Sequence, residues 1–284
     1  MFNKKNKVFK IMAKAIIGLL IFLTVSTAAF YFFWLSPRYE LPILTYHYFG
    51  YDSVIDGRDL PLLFVRPDNF EKQMRYLKDK GYRVISLEAL VGGIKKGKGF
   101  PHNTVVITID DGHKSIFTYA YPVLKKYGFP ATVFLVSDRV GVRKDYLNWN
   151  EVKEMSKDNI SFGAHTRNHV YLPLIEKKDI LWNEIYGCKE IIEKQVGIRV
   201  DYFCYPTGGF TEEVKMLVEK AGYKGACTTN RGIDGTNADV YALNRVSIRE
   251  SDPYFSFFNL NQPMGFKVKL SGYYNSFRKK KSGY

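Results

Sequence analysis

A distorted (β/α) barrel of about seven parallel strands, preceded by one N-terminal transmembrane helix, is the α/β architecture this 284-residue chain predicts. Three observations lead there. Short apolar, β-branched runs alternate with amphipathic stretches of helical period, an order that builds parallel sheets because each crossover between parallel strands carries a helix. The run at residues 105–109 (VVITI) is apolar at every position, as a strand covered on both faces must be. Ahead of these units, residues 15–35 hold no charge and have the length of a bilayer-crossing helix.

The N-terminal segment divides the chain first. Lys4, Lys5, Lys7, Lys10 and Lys14 precede the apolar run, so the positive-inside rule puts residues 1–14 in the cytoplasm and the body of the chain outside. A cleaved signal peptide has a shorter apolar core that ends at small residues. Ser26 to Ala29 offer such a site, but residues 30–35 prolong the run, which favours an uncleaved signal anchor over secretion. The expectation is a single-pass protein of the cell membrane with residues 36–262 as an extracytoplasmic catalytic domain and 263–284 as a basic, aromatic tail.

Within that domain, residues 41–49 (LPILTYHYF) read as a buried strand with His47 near its end, and residues 52–63, with Gly57 and Pro61, as a loop. Phe70, Met74 and Leu77 have helical spacing, stopped by Gly81, and a strand follows at 83–86. The run at 105–109 delivers the chain into Asp110, Asp111 and Gly112. After it come a helix over 115–127 ended by Gly128, a strand at 131–136, a helix at 151–157 and a strand at 160–163. A helix over 179–195, a strand at 202–205, a helix at 212–221 and a strand at 225–228 complete the alternation.

Composition sets limits on function. Hydrophobic residues at 46% and aromatics at 16% are too abundant for a disordered chain. The formal charge of +14, from 42 Lys+Arg against 28 Asp+Glu, is concentrated at the two ends, with no central basic stripe, so nucleic acid is not an expected partner. The terminal cluster from Arg278 to Lys281, beside Tyr273, Tyr274 and Phe277, is either a solvated tail or a contact for anionic cell-wall polymers. Cys188, Cys204 and Cys227 have neither CxxC spacing nor an even count, which argues against a disulfide framework and a thiolate metal site.

Three predicted strands end in chemistry: Asp110 and Asp111 after 105–109, His165 after 160–163, and Pro206 and Gly208 after 202–205. C-terminal strand ends are where parallel α/β folds gather catalytic groups. His165 and His169 are four apart, so both imidazoles can meet one ion, and one adjacent carboxylate completes a two-histidine, one-carboxylate set with positions left for water and substrate. Two successive carboxylates cannot point the same way; one can ligate while the other acts as a base. A helix cap or solvated turn is the plain alternative for an isolated Asp-Asp pair, and a surface position for an isolated HxxxH.

With these residues in view, the sequence resembles the polysaccharide deacetylases of the chitooligosaccharide deacetylase homology type, carbohydrate esterase family 4. The family's TFDDG motif stands as residues 108–112 (TIDDG), and its HSxxH or HTxxH motif as His165 to His169. The likeness runs from about Pro42 to Ile248. It implies Asp110 as general base and Asp111, His165 and His169 as ligands of one divalent ion, zinc most commonly, with cobalt or nickel as substitutes. It also implies a backbone N–H of the third motif as oxyanion stabiliser, which falls on Thr207. That motif departs from the family's RxPYG pattern: Cys204 stands for the arginine that orients the base, and Thr207 for the aromatic residue. The branch that deacetylates poly-β-1,6-N-acetylglucosamine also lacks this arginine and takes its general acid from an N-terminal strand with a YH signature, which implies Tyr46 and His47 here, with His47 as the acid. Trp149, Tyr205 and Arg245 are expected around the sugar, with core packing the alternative for Trp149. Arg245 is also a candidate to take over part of the missing arginine's work.

The function so implied is metal-dependent removal of N-acetyl groups from an extracellular N-acetylglucosamine polymer, poly-β-1,6-N-acetylglucosamine ahead of peptidoglycan or chitin-like chains. Two alternatives belong to other classes. A metal-dependent phosphoesterase calls for a second metal and basic phosphate clamps. A catalytically degenerate carbohydrate-binding surface protein fits the altered third motif but not the intact base and ligands.

Overall fold

The computed structural model describes residues 2–30, 41–55, 57–59, 63–101, 103–231 and 239–250. The chain divides into two compact units, Met1–Arg38 and Tyr39–Tyr284. In the first, a single helix, α1 (Phe2–Phe30), takes in the lysine cluster and the start of the apolar run. Among the described residues no helix is long and apolar enough to cross a membrane. The expected span at 15–35 is therefore not supported; its last residues, like the tail at 263–284, lie outside the described residues.

The second unit contains β1 (Ile43–Tyr46), β2 (Tyr48–Phe49), β3 (Val54–Ile55), β4 (Arg58–Asp59), β5 (Phe64–Val65), β6 (Arg83–Ile85), β7 (Thr104–Ile109), β8 (Ala131–Leu135), β9 (Ile160–Ala164), β10 (Tyr202–Cys204), β11 (Gly225–Arg231) and β12 (Leu243–Ser247). The main sheet runs β1-β12-β11-β10-β9-β8-β7-β6, every pair parallel, and β1 also pairs with β7. That extra pairing closes seven strands into a parallel barrel, as expected. β6 stays outside the ring, on the first half of β7 ahead of the point where β8 takes over. Irregular seams distort the closure: β9 and β10 share one register pair, and β11 and β12 shift register between Cys227 and Arg231.

Alternation along each strand makes two cores. One face, with Leu44, Ile107, Val133, Phe162 and Phe203, packs beneath α2 (Pro67–Asp79), α4 (Tyr121–Tyr127), α5 (Trp149–Met155), α7 (Cys188–Val196) and α8 (Glu212–Lys220). The other fills the lumen with Ile43, Val106, Phe134, Cys204, Cys227 and Leu243. Leu87, Leu90 and Val91 of α3 (Leu87–Lys95), a helix the sequence pattern did not reveal, seal the lumen at the end where β11 begins. The expected helices at 115–127 and 179–195 are both interrupted. A π-helical turn, Ile116–Ala120, precedes α4, and another, Asn183–Gly187, sits between α6 (Lys178–Trp182) and α7. All three cysteines are buried, and none is in a disulfide.

Candidate active site

A cavity of about 390 Å³ opens at the C-terminal strand ends, lined among others by His47, Asp110, Asp111, His165, His169 and Thr207. β7 supplies the two carboxylates. The Asp110 N–H donates to the Tyr46 carbonyl at 2.9 Å, so Asp110 continues the strand and its side chain follows Thr108 inward. The chain then enters the left-handed region at once, with φ 71° at Asp111 and 73° at Gly112. Only glycine suits the second position, because a Cβ there would stand 2.8 Å from Leu135 Cδ2. Neighbouring acids thus leave the strand in different directions, as their adjacency demanded.

Asp110 is 1% exposed and gripped by Arg245 of β12, whose Nη1 and Nη2 donate to Oδ1 and Oδ2 at 2.8 and 2.6 Å. The remaining Arg245 donors are used as well: Nε on the Thr228 carbonyl at 2.7 Å, Nη1 on Thr108 Oγ1 at 3.1 Å and Nη2 on Cys204 Sγ at 3.0 Å. Such saturation is what a desolvated ion pair needs to hold. Burial pushes the Asp110 carboxyl up, but the guanidinium outweighs it and keeps the group below the usual carboxylate range.

His165 follows β9, where its N–H donates to the Leu135 carbonyl at 2.8 Å. Its Nδ1 lies 2.7 Å from the Cys204 carbonyl, an acceptor, which assigns the ring proton to Nδ1 and leaves a lone pair on Nε2. That Nε2 stands 3.5 Å from Asp111 Oδ1, and His169 Nε2 stands 3.3 Å from the same oxygen. Asp111 Oδ1 is buried and accepts no hydrogen bond. A carboxylate oxygen and two imidazole nitrogens converging on an orphaned acceptor form a donor set of the kind that holds a divalent ion, and the residues present fit one. A second group, Asp110, His165 and Cys204, is as compact, but Asp110 and Cys204 already take N–H groups of Arg245. Among the described residues the non-glycine positions with positive φ are Asp111, Thr166, His169 and Thr207, all in or beside this site, where backbone strain concentrates when a constellation is held ready.

His47 Nε2 lies 3.8 Å from Asp110 Oδ2, and burial, against the pull of Asp110 and Asp111, lowers the imidazole pKa. Thr207 lies in the cavity wall with φ 56°, its carbonyl accepting from Thr229 Oγ1 at 2.6 Å. Of the three expected sugar contacts Arg245 lines the cavity, while Trp149 and Tyr205 do not. Trp149 opens α5 and packs against the outer core. Tyr205 is fully buried, stacked on Phe210, with its hydroxyl on the Tyr241 carbonyl at 3.0 Å. Arg245 is at the cavity but 2% exposed and committed to Asp110, so it positions that carboxylate and is not free for sugar. Ser247 and Arg249, on the same face of the chain as Arg245, line the cavity instead; the period of two along β12 was their signal.

A family model described as polysaccharide deacetylase matches residues 97–226. A Bacillus subtilis protein named for the polysaccharide deacetylases, YxkH, is 32% identical over 74% of this chain and 71% of its own length. The poly-beta-1,6-N-acetyl-D-glucosamine N-deacetylase of Staphylococcus aureus is 30% identical over 66% of this chain and 68% of its own. The solved Streptococcus pyogenes deacetylase PplD, in complex with acetate, superposes with a TM-score of 0.69 at 28% identity, covering 80% of this chain and all of that one. Barrel, strand-end site and relatives define a hydrolase that removes acyl groups. The chain belongs to the polysaccharide deacetylase family, carbohydrate esterase family 4.

Proposed function

We propose that this deacetylase hydrolyses N-acetyl groups of an N-acetylglucosamine polymer with the help of one divalent metal ion, zinc ahead of cobalt or nickel. The observation that carries the reading is the convergence of Asp111 Oδ1, His165 Nε2 and His169 Nε2, with that Oδ1 unsatisfied, beside a carboxylate and an imidazole that hold no ligand position. A bound ion would polarise the amide carbonyl and acidify water at those three ligands.

The chain's own groups supply the rest. Asp110 is kept ionised by Arg245 and accepts a proton from water at Oδ2, the oxygen that faces His47. His47 Nε2 gives a proton to the departing amine. A depressed imidazole releases its proton readily, which suits a donor, although fewer molecules carry that proton at neutral pH. The N–H of Thr207, in the cavity wall, stabilises the oxyanion.

Within this reading the polymer is poly-β-1,6-N-acetylglucosamine. The likeness to the staphylococcal enzyme supports it, as does His47, which reaches Asp110 from an N-terminal strand. Such a polymer lies outside the cell, so the basic, apolar N-terminus is read as the anchor that keeps the domain there. Acetate release from oligomers of this polymer, of chitin and of peptidoglycan, measured with chelator and with zinc, cobalt or nickel restored, tests every part. No release from any of them under any metal would end the proposal, and release from chitin alone would move the substrate.

A further inference from the structure

The two histidines of the site are joined by a loop of three residues, Thr166 to Asn168, whose backbone is not relaxed: Thr166 has φ 61° and His169 φ 60°. Something has to hold it. Thr166 Oγ1 accepts from the His169 N–H at 2.9 Å, an internal brace. The 137–139 segment holds the loop's carbonyls, with the Ser137 and Asp138 N–H groups donating to those of Thr166 and Arg167 at 3.3 and 3.1 Å. The brace on its N–H groups is Glu184, which is 5% exposed and stands on the π-helical turn Asn183–Gly187. Its Oε2 accepts the backbone N–H groups of both Arg167 and Asn168 at 3.0 Å, and its Oε1 accepts Asn168 Nδ2 at 2.8 Å. One buried carboxylate thus takes three donors of the segment between the ligands.

Just beyond that turn, Cys188 donates its thiol to the Thr166 carbonyl at 3.1 Å, and Arg167 is tied outward to Asp138 and to Asn183. A π-helical turn inserts a residue and rotates the rest of the helix about its axis, so a helix can aim an acid at a loop it would otherwise pass.

We infer that Glu184 is a positioning residue that clamps the His165–His169 loop in the shape presenting both imidazoles to one ion. The inference rests on the proposed metal reading for its consequence, but the clamp itself is a matter of loop order. Without the carboxylate, two backbone N–H groups of the loop lose their acceptor, and the left-handed residues lose one of the supports that hold them.

The experiment compares wild type, Glu184→Ala, Glu184→Gln and Val218→Ala, the last a cavity control in the buried face of α8, all in the full-length protein with zinc as probe. Hydrogen exchange reports on residues 166–169, and competition with a chromophoric chelator reports zinc affinity. Glu184→Ala is expected to speed exchange at Arg167 and Asn168 and to weaken zinc about 10- to 100-fold, as loss of a group supporting metal ligands does. Glu184→Gln should stay within about threefold of wild type, because its oxygen accepts the two N–H groups and a turned Asn168 amide accepts from its nitrogen. Val218→Ala should lower Tm without either change. Should Glu184→Ala fail to fold, Glu184→Met fills the space without accepting and carries the same comparison. Unchanged exchange in the loop of a folded Glu184→Ala or Glu184→Met protein overturns the inference, as does an equal zinc loss in Val218→Ala. A wild type that binds no divalent ion ends the metal reading instead, and the exchange result then decides the clamp alone.

Discussion

Asp110 and Arg245 make up the largest electrostatic commitment at the residue scale, since both are almost fully removed from water and each is the other's counter-ion. A buried charge whose partner is deleted costs about 3–5 kcal/mol. Arg245→Met is therefore expected to lose about that much in urea denaturation, and adding Asp110→Asn to recover most of it, while acetate release stays lost in both. A single Arg245→Met protein as stable as wild type would show that Asp110 needs no cation. The acids and His165 were legible because they end apolar runs, His169 because it follows His165 by four, and His47 through the YH signature of the family branch the sequence resembles. The contact that tunes them was offered only through the family resemblance, which made Arg245 a candidate for part of the missing arginine's work; no spacing in the sequence shows it. Arg245 and Asp110 are 135 positions apart and meet only through barrel closure, and Cys204, read as a loss, proves to be the neighbour that Arg245 reaches across. Trp149 and Tyr205 were ambiguous for the opposite reason: an aromatic residue near a motif looks the same whether it faces sugar or core, and core packing, the alternative for Trp149, is where both side chains are found.

Among the elements, β9 is shaped by a residue that lacks a side chain. A Cβ on Gly163 would stand 2.5 Å from the ring of Phe134 and 2.9 Å from the Tyr202 carbonyl, so the lumen accommodates Phe134 only because β9 is bare there. Gly163→Ala should cost about 1–3 kcal/mol, and Phe134→Leu should recover only part of it, because the carbonyl clash remains. Thermal denaturation of both variants checks this. The start of β10 is fastened differently: Asp201 accepts Lys224 Nζ at 2.7 Å and Arg199 Nη2 at 3.0 Å, and although burial raises its carboxyl, these cations hold it below the ordinary value. A depressed carboxylate contributes stability above its unfolded pKa of about 4 and loses it as pH falls through the lower folded value. Asp201→Asn should thus be destabilised by under about 1 kcal/mol at pH 7, a difference that shrinks in Tm measurements as pH falls below the ordinary carboxylate value of about 4. Strand positions were readable from apolar runs, whereas α3 was not: Gly92 and Gly93 interrupt its pattern, and its Ser86 cap went unread. The π-helical turns add one residue each, a change no periodicity over ten residues can register.

For the whole molecule, an ion held by Asp111, just past β7, and by the two histidines after β9 would tie distant parts of the barrel, and ligand binding to the native state alone stabilises it. At free zinc a hundredfold above Kd the gain is about 2.7 kcal/mol, or roughly 5–10 °C in Tm for a domain of this size. The shift should disappear in chelator and in His169→Ala; a Tm indifferent to zinc would contradict the ligand set. The closing strands bear on another matter, the order in which a growing chain becomes an enzyme. β1 meets β7 early, across 64 positions, yet its other edge waits for β12. Until Leu243–Ser247 arrives, the sheet keeps an open edge that invites pairing with other chains, and Asp110 has no cation. A nascent polypeptide is accordingly inert and prone to association until β12, the last strand among the described residues, has emerged, so the onset of catalysis coincides with closure of the barrel.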